Sequence, residues 1–218
     1  MSARSDTELI AAWRAGDRSA GGVLFDRHFG SICRFFRNKV QRDVEELVQM
    51  TFMGAVEGRD RFREEASFRT YLFAIAHNVL RSHFRRQGRV REIVEIDSQS
   101  LVDLGGSPTA LLAAQGEVRL LLHGLRRIPL ESQVLLELYY WERLTIREVG
   151  AFLGVSEETG RNRLRKARRL LIKAIHELEA SPSMIGSTVS NLDAWAAKIR
   201  ASYDVSAETG GEGETSET

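Results

Sequence analysis

The chain of 218 residues contains one cysteine, three prolines and no apolar run long enough to cross a bilayer. A lone cysteine, Cys33, excludes an intramolecular disulfide and a thiolate cluster for zinc. Its neighbours Ile32 and Phe35 point to a small buried apolar residue rather than a nucleophile. The nucleotide-binding glycine loop, the nucleophile elbow and the clustered carboxylate pair are also missing, which argues against an enzyme and against any cofactor or catalytic residue. His77 and His83 do not make a metal pair, because six residues along a helix set them about 120° apart. The opening residues M-S-A-R-S-D-T-E lack the apolar stretch of a signal peptide, so a cytoplasmic protein without membrane insertion is expected.

The formal net charge of +1 hides a strong division. Residues 1–96 carry 17 Lys and Arg against 13 Asp and Glu, and residues 118–180 carry 12 against 8. Residues 97–117 have no basic side chain and three acidic ones, and residues 181–218 have two basic against six acidic. Two basic modules are thus joined by an acidic connector and followed by an acidic tail. The connector contains D-L-G-G-S-P at 103–108, whose glycines and proline oppose regular structure. The expected architecture is all-α: a helical domain at 5–96, a flexible linker at 97–117, a second helical domain at 118–176 and an extension at 177–218.

The most specific local signal lies at 144–171. T-I-R-E at 145–148 is a capping box that starts a helix through Val149, Phe152 and Leu153. Gly154 then supplies a turn, and Ser156 is placed to cap a second helix. At 100° per residue Gly160, Leu164, Ala167 and Leu171 fall on an inner stripe, while Arg161, Arg165, Lys166, Arg168 and Arg169 spread over the opposite side. One face packs and the other meets phosphate, the arrangement of a DNA-binding helix-turn-helix.

The first module reads as helical throughout. Leu9, Ile10 and Trp13 mark a short opening helix; Leu24, Phe25, His28, Phe29, Ile32, Phe35 and Phe36 mark a second, with Gly21 and Gly22 weakening its start. D-V-E-E-L-V-Q-M-T-F at 43–52 begins a third, with Asp43 expected to cap and Glu46 three residues on. Val44, Leu47, Val48, Phe52, Ala55 and Val56 are expected inside, leaving Glu45, Glu46, Gln49 and Met53 outside. In the helix that follows, Phe68, Leu72, Ile75 and Val79 are expected to pack, and Asn78, Arg81 and Arg85 form a separate stripe that joins a base-reading amide to two guanidiniums. Phe62, Phe68, Tyr71, Phe73 and Phe84 interleave with the basic residues, mostly as core, with one or two able to stack on an unpaired base.

The 43–52 segment, D-R-F-R at 60–63 and S-F-R-T-Y-L-F-A-I-A-H-N at 67–78 together resemble region 2 of bacterial extracytoplasmic-function (ECF) sigma factors of the sigma-70 superfamily. I-P-L-E at 128–131, the 135–140 stretch and the helix-turn-helix resemble their region 4, in the family's order over roughly 5–176. The resemblance implies an alternative sigma factor that binds core RNA polymerase and directs promoter-specific initiation. By that likeness Asp43, Glu45, Glu46, Gln49 and Met53 dock on the polymerase beta-prime clamp helices, and nearby region 4 surfaces contact the beta flap. Arg63, Asn78, Arg81, Arg85 and Arg86 read the −10 element, where a base is flipped from the non-template strand. Ser156, Glu158, Thr159, Arg161, Asn162, Arg165 and Arg168 read the −35 element in the major groove.

Two departures stand out. Gly160 replaces the usual apolar residue, giving up inner-face burial at a helix penalty of about 1 kcal/mol, and Arg161 replaces a lysine. The alternative reading is a helix-turn-helix regulator with an N-terminal sensor domain, against which stands the second DNA-reading stripe at Asn78, Arg81 and Arg85. In the extension, Leu192, Trp195, Ile199 and Tyr203 share one face of an amphipathic helix near 189–203 that is expected to seek a partner, before a disordered acidic tail. An anti-sigma factor and this helix, acting as an intramolecular regulator, are the further partners the sequence suggests.

Overall fold

The computed structural model describes residues 4–37, 39–40, 42–62, 66–87 and 117–178, with residues 186 and 194 besides. The linker expected at 97–117 lies outside the described residues except for Glu117, which begins a helix, and so do Arg63 and the extension residues Leu192, Trp195, Ile199 and Tyr203. Every regular element described is helical: α1 (Asp6–Arg14), α2 (Arg18–Arg37), α3 (Val44–Gly58), α4 (Phe68–Arg86), α5 (Glu117–Arg126), α6 (Leu130–Leu136), α7 (Ile146–Leu153) and α8 (Glu157–His176). A 3-10 turn extends α3 through Arg61, and a π-helical turn extends α6 from Glu137 to Trp141.

The first module is built from α1 to α4. Ser5 and Glu8 close a capping box at the start of α1. Leu9, Ile10 and Trp13 then enter a core shared with Leu24, Ile32, Phe36, Leu47, Phe52, Phe68, Leu72, Phe73 and Leu80. Cys33 is buried, as its apolar neighbours require. At the far end of α1 the Arg14 guanidinium donates to the Arg59 and Phe62 carbonyls, satisfying backbone acceptors freed where α3 ends.

Three expectations for this module need correction. Asp43 precedes α3 but sits in the left-handed region at φ 65°, and its side chain makes no cap bond; an N-cap needs extended backbone to aim its oxygen at the next turn. Phe29 is 53% exposed, although it falls round α2 between the buried Phe36 and Cys33. Val56 is 48% exposed because it lies 180° round α3 from Leu47, on the outer side with Gln49 and Met53.

The second module places α5, α6 and α7 around α8. Pro129 opens α6, its missing N–H costing nothing at a helix start. The expected Thr145–Glu148 capping box is present: the Glu148 backbone N–H donates to the Thr145 hydroxyl at 3.2 Å, and the Thr145 N–H donates to the Glu148 carboxylate at 2.8 Å. Gly154 ends α7 in the left-handed conformation at φ 64°, and the Ser156 hydroxyl accepts from the Thr159 N–H at the start of α8. Gly160, Leu164, Ala167 and Leu171 are buried, as their stripe requires.

Candidate nucleic-acid interface

The outer face of α8 presents Glu158, Arg161, Asn162, Arg165 and Arg168, all exposed, with Ser156 exposed at the helix start and Thr159 half-buried. Some of these groups already have partners. Arg161 pairs with Glu157 one turn earlier at 2.8 Å, and Arg165 donates to the Asn162 side-chain oxygen at 3.5 Å. The Ser156 hydroxyl is shared between the Thr159 backbone and the Thr159 hydroxyl, 2.9 Å away. Such exposed i,i+3 and i,i+4 pairs contribute a few tenths of a kcal/mol, so a phosphate or base edge can displace them.

Gly160 does not open a gap in the inner face. A Cβ there would lie 3.2 Å from the Gly150 Cα and nitrogen, and one at Gly150 would lie 3.0 Å from the Val155 carbonyl oxygen. The two glycines let α7 and α8 meet backbone to backbone. The expected loss of burial is therefore replaced by a closer helix crossing, which fixes how α8 stands on α7.

The second candidate surface is α4. Asn78, Arg81, Arg85 and Arg86 are all exposed at its C-terminal half, and Arg85 is steadied by Ser82 at 3.3 Å. Ile75 and Val79 are only half-buried, whereas Phe73, Ala76, His77, Leu80 and Phe84 are buried. The packed arc of α4 is wider than one amphipathic stripe because α3 covers one side and α7, from the other module, covers another. Phe62 and Tyr71 stack with ring centres 4.7 Å apart, and Phe62 is buried, so these rings act as core at the base of this surface.

On α3, Glu45, Glu46, Gln49 and Met53 are exposed, Met53 at 53%. Asp43 is exposed beside them. The sequence pattern missed the apolar half of this surface: Val56, and on α2 Val23 and Phe29, the last stacked on Phe52 at 6.2 Å. Exposed apolar side chains thus stand on both α2 and α3, and on α3 they share the helix with the exposed carboxylates of Glu45 and Glu46.

Between the modules lies a set of polar contacts that sequence reasoning did not find. Lys39 is fully buried; its ammonium donates to the Phe35 carbonyl at 2.8 Å, lies 4.0 Å from the Phe35 ring centre and pairs with Glu137. Burial pushes the Lys39 ammonium below its usual range, and Glu137 opposes that shift. Glu142, also buried, pairs with Arg69 and lies 3.5 Å from Arg34. Glu131 lies 3.1 Å from His77 and 3.9 Å from Arg81. The Ser67 hydroxyl donates to Glu148 at 3.0 Å, with Thr70 at 3.4 Å.

Comparison with known proteins agrees with this geometry. Residues 24–90 match the model for sigma-70 region 2, and residues 125–172 match the model for sigma-70, region 4. The chain is a sigma-70 region 2 and region 4 protein, and it belongs to the ECF sigma factors of that family. It is 28% identical over 174 residues to an ECF RNA polymerase sigma factor, SigM, of Mycobacterium tuberculosis, covering 79% of this chain and 85% of that one. It is 24% identical over 184 residues to the ECF RNA polymerase sigma-E factor of Haemophilus influenzae, covering 80% and 97%. Among solved structures, CnrH in complex with the cytosolic domain of CnrY shares the fold at a TM-score of 0.55, with 24% identity, 80% of this chain and 99% of that one. The sigma factor RpoE bound to the anti-sigma factor NepR from Bartonella quintana shares it at 0.52, with 20% identity, 72% and 96%. As an ECF sigma factor the protein directs RNA polymerase to promoters, and it is not an enzyme. The sensor-domain alternative falls, because the first module is region 2. Among the described residues no helix is long and apolar enough to cross a membrane.

Proposed function

We propose a division of labour among the three exposed surfaces, within the domains 5–96, 118–176 and 177–218. Glu45, Glu46, Gln49 and Met53, with Val56 and Phe29, dock on the polymerase beta-prime clamp helices, while region 4 surfaces touch the beta flap. Asn78, Arg81, Arg85 and Arg86, together with Arg63, engage the −10 element as it opens, and α8 reads the −35 element. The observation that carries this reading is the presence of two basic, exposed helical faces on separate modules of one chain, one of them carrying Asn78 beside its guanidiniums. The partners named for two structural neighbours, the cytosolic domain of CnrY and the anti-sigma factor NepR, support an anti-sigma factor for this chain too. The face formed by Leu192, Trp195, Ile199 and Tyr203 is proposed as an intramolecular regulator, and the cytoplasm, where RNA polymerase works, as the site of action.

The test is transcription by core polymerase on a promoter this protein directs. Asn78→Ala is expected to impair strand opening more than closed-complex binding. Arg161→Ala and Arg165→Ala are expected to weaken −35-dependent recruitment, by about 1 to 3 kcal/mol wherever a bidentate base contact is lost. Permanganate footprinting beside closed-complex binding separates the roles, and the opposite pattern would reverse the assignment.

A further inference from the structure

Among the described residues the exposed large apolar side chains all stand on α2 and α3: Val23 and Phe29 on the first, Met53 and Val56 on the second. Phe29 stacks on Phe52 at 6.2 Å, Val56 follows Phe52 by one turn of α3, and Met53 is three residues from Val56. Phe29 and Val56 therefore border the same ring from two helices, with Met53 alongside. Charge also sets α3 apart. Glu45, Glu46 and Glu57 are exposed on it and it carries no basic side chain, whereas the outer faces of α4 and α8 are rich in arginine.

The chain continues past Leu178 to Thr218. Its pattern at 189–203 predicts a helix with Val189, Leu192, Trp195, Ala196, Ile199 and Tyr203 on one side. Lys198 and Arg200, the two basic residues after 180, fall on opposite edges of that side, about 120° and 80° from Leu192. Ala194, the residue of this stretch that the structure describes, is exposed and stands about 200° round from Leu192, opposite the apolar side. The tether at 179–188 can span up to about 35 Å at about 3.3 to 3.6 Å per residue, more than the roughly 30 Å length of α8. The segment is thus not confined to the end of the module that it leaves.

Resting on the readings of this surface as a polymerase contact and of the extension as a regulator, we propose that the 189–203 segment docks through its apolar side on the outer surface of α2 and α3 in the free protein, and there competes with core polymerase. Two requirements select the site. An apolar side that includes Trp195 and Ile199 needs exposed apolar partners, and Phe29, Met53 and Val56 offer them. Cations on both of its edges need carboxylates: Glu45, Glu46 and Glu57 supply them, whereas the arginine faces of α4 and α8 would repel Lys198 and Arg200. Because the segment is tethered, its local concentration is in the millimolar range, so even a weak contact holds most molecules closed. Only the open form presents α3 to polymerase, and the apparent affinity for core enzyme falls with the fraction of molecules that are open.

The test is hydroxyl-radical footprinting of the full chain without polymerase, read by mass spectrometry at Phe29 and Met53. W195A/I199A is expected to raise labelling of both residues about threefold or more, and to tighten binding to core polymerase about tenfold if about nine-tenths of wild-type molecules are closed. K198E/R200E is expected to raise labelling likewise, and adding E45K/E46K to it to restore protection by reversing both sets of charges. A folded W195A/I199A protein labelled like wild type at Phe29 and Met53 overturns the docking, as does a rise confined to other residues. Protection that vanishes on dilution assigns the contact to a second copy of the chain and overturns the intramolecular one. Should W195A/I199A fail to fold, truncation after Ala180 decides by the same labelling. Labelling that rises with no gain in polymerase affinity upholds the docking and overturns instead the assignment of α3 to polymerase.

Discussion

Alanine at Gly160 should destabilise this protein, although the same change in an open helix position stabilises. In a helix interior Gly→Ala gains about 1 kcal/mol from propensity alone. At Gly160 the new Cβ would sit 3.2 Å from the Gly150 Cα and nitrogen, a few tenths of an ångström inside ordinary contact, against backbone that cannot swing aside. Overpacking of this kind costs about 1 to 3 kcal/mol, so the net effect is destabilising by about 1 kcal/mol. For a module of this size that corresponds to a fall in melting temperature of about 4 to 8 °C. Gly22, in α2, is the internal control: it is exposed, a Cβ there would meet nothing within 4 Å, and Gly22→Ala should raise stability by about 0.5 to 1 kcal/mol. Gly160→Leu, closer to the usual family residue, should separate α7 from α8 altogether and abolish binding to −35 duplex. Thermal melts by circular dichroism, paired with duplex binding, provide the readout. If Gly160→Ala raised the melting temperature as Gly22→Ala does, the backbone contact would not limit the crossing and the argument would fail.

Two further outcomes follow from the surfaces and buried charges. Glu45→Arg with Glu46→Arg, or Met53→Glu alone, should weaken binding to core polymerase about tenfold or more while leaving the melt nearly unchanged, because these side chains are exposed; a pull-down with folded variants that showed undiminished binding would remove the docking assignment. Stability should fall with acid in two stages. Burial pushes the His28 imidazole below its ordinary value despite Asp6, so the folded chain binds fewer protons than the unfolded one just below about pH 6.5, and stability drops as pH falls through that window. Burial works to raise the Glu131 and Glu148 carboxyls, but His77, Arg81 and Arg163 outweigh it at Glu131, and Thr145, Ser67 and Thr70 outweigh it at Glu148. Both end below the ordinary carboxylate value, so their contribution is complete above about pH 4.3 and is lost as pH falls through the lowered folded values. Melts across pH should show His28→Gln flattening the first stage and Glu148→Gln the second; slopes identical to wild type would refute these causes.

The parts of this structure legible in the sequence are those set by local chemistry. A capping box needs only Thr145 and Glu148 three residues apart, a left-handed turn needs Gly154, and the α8 inner stripe needs four small or apolar residues at helical spacing. The exposed stripe at Asn78, Arg81 and Arg85 was legible because polar side chains at spacings of three and four share a face whatever packs behind them. Asp43 misled because its residue type fits a cap, whereas the loop before α3 brings the backbone in at a positive φ that only its geometry reveals. Phe29 and Val56 misled because an apolar residue near a stripe is assigned inward by its type, yet folded surfaces keep many apolar side chains outside.

What the sequence concealed is how the two modules meet. Hydrophobic periodicity reports that a face is buried but not against what, and the contact between α4 and α7 relies on groups that read as ordinary surface charge. Lys39 follows α2 at a place where a solvated lysine is the default, and Glu137 falls in a run, E-L-Y-Y-W, whose apolar members account for its burial. Only the fold brings the two together over 98 residues of sequence, and only burial turns two routine charges into an ion pair whose loss on one side alone would be costly. The same reasoning resolves the wide packed arc of α4. Its Phe68 and Leu72 edge belongs to the module's own core, while its Thr70 and His77 edge faces a neighbour that arrives from beyond the linker, His77 with its ring 5.3 Å from that of Phe152. A helix with more buried surface than its own module can account for is the sequence-level trace of such a contact, and in this protein that helix is also the one whose free face is proposed to engage the −10 element.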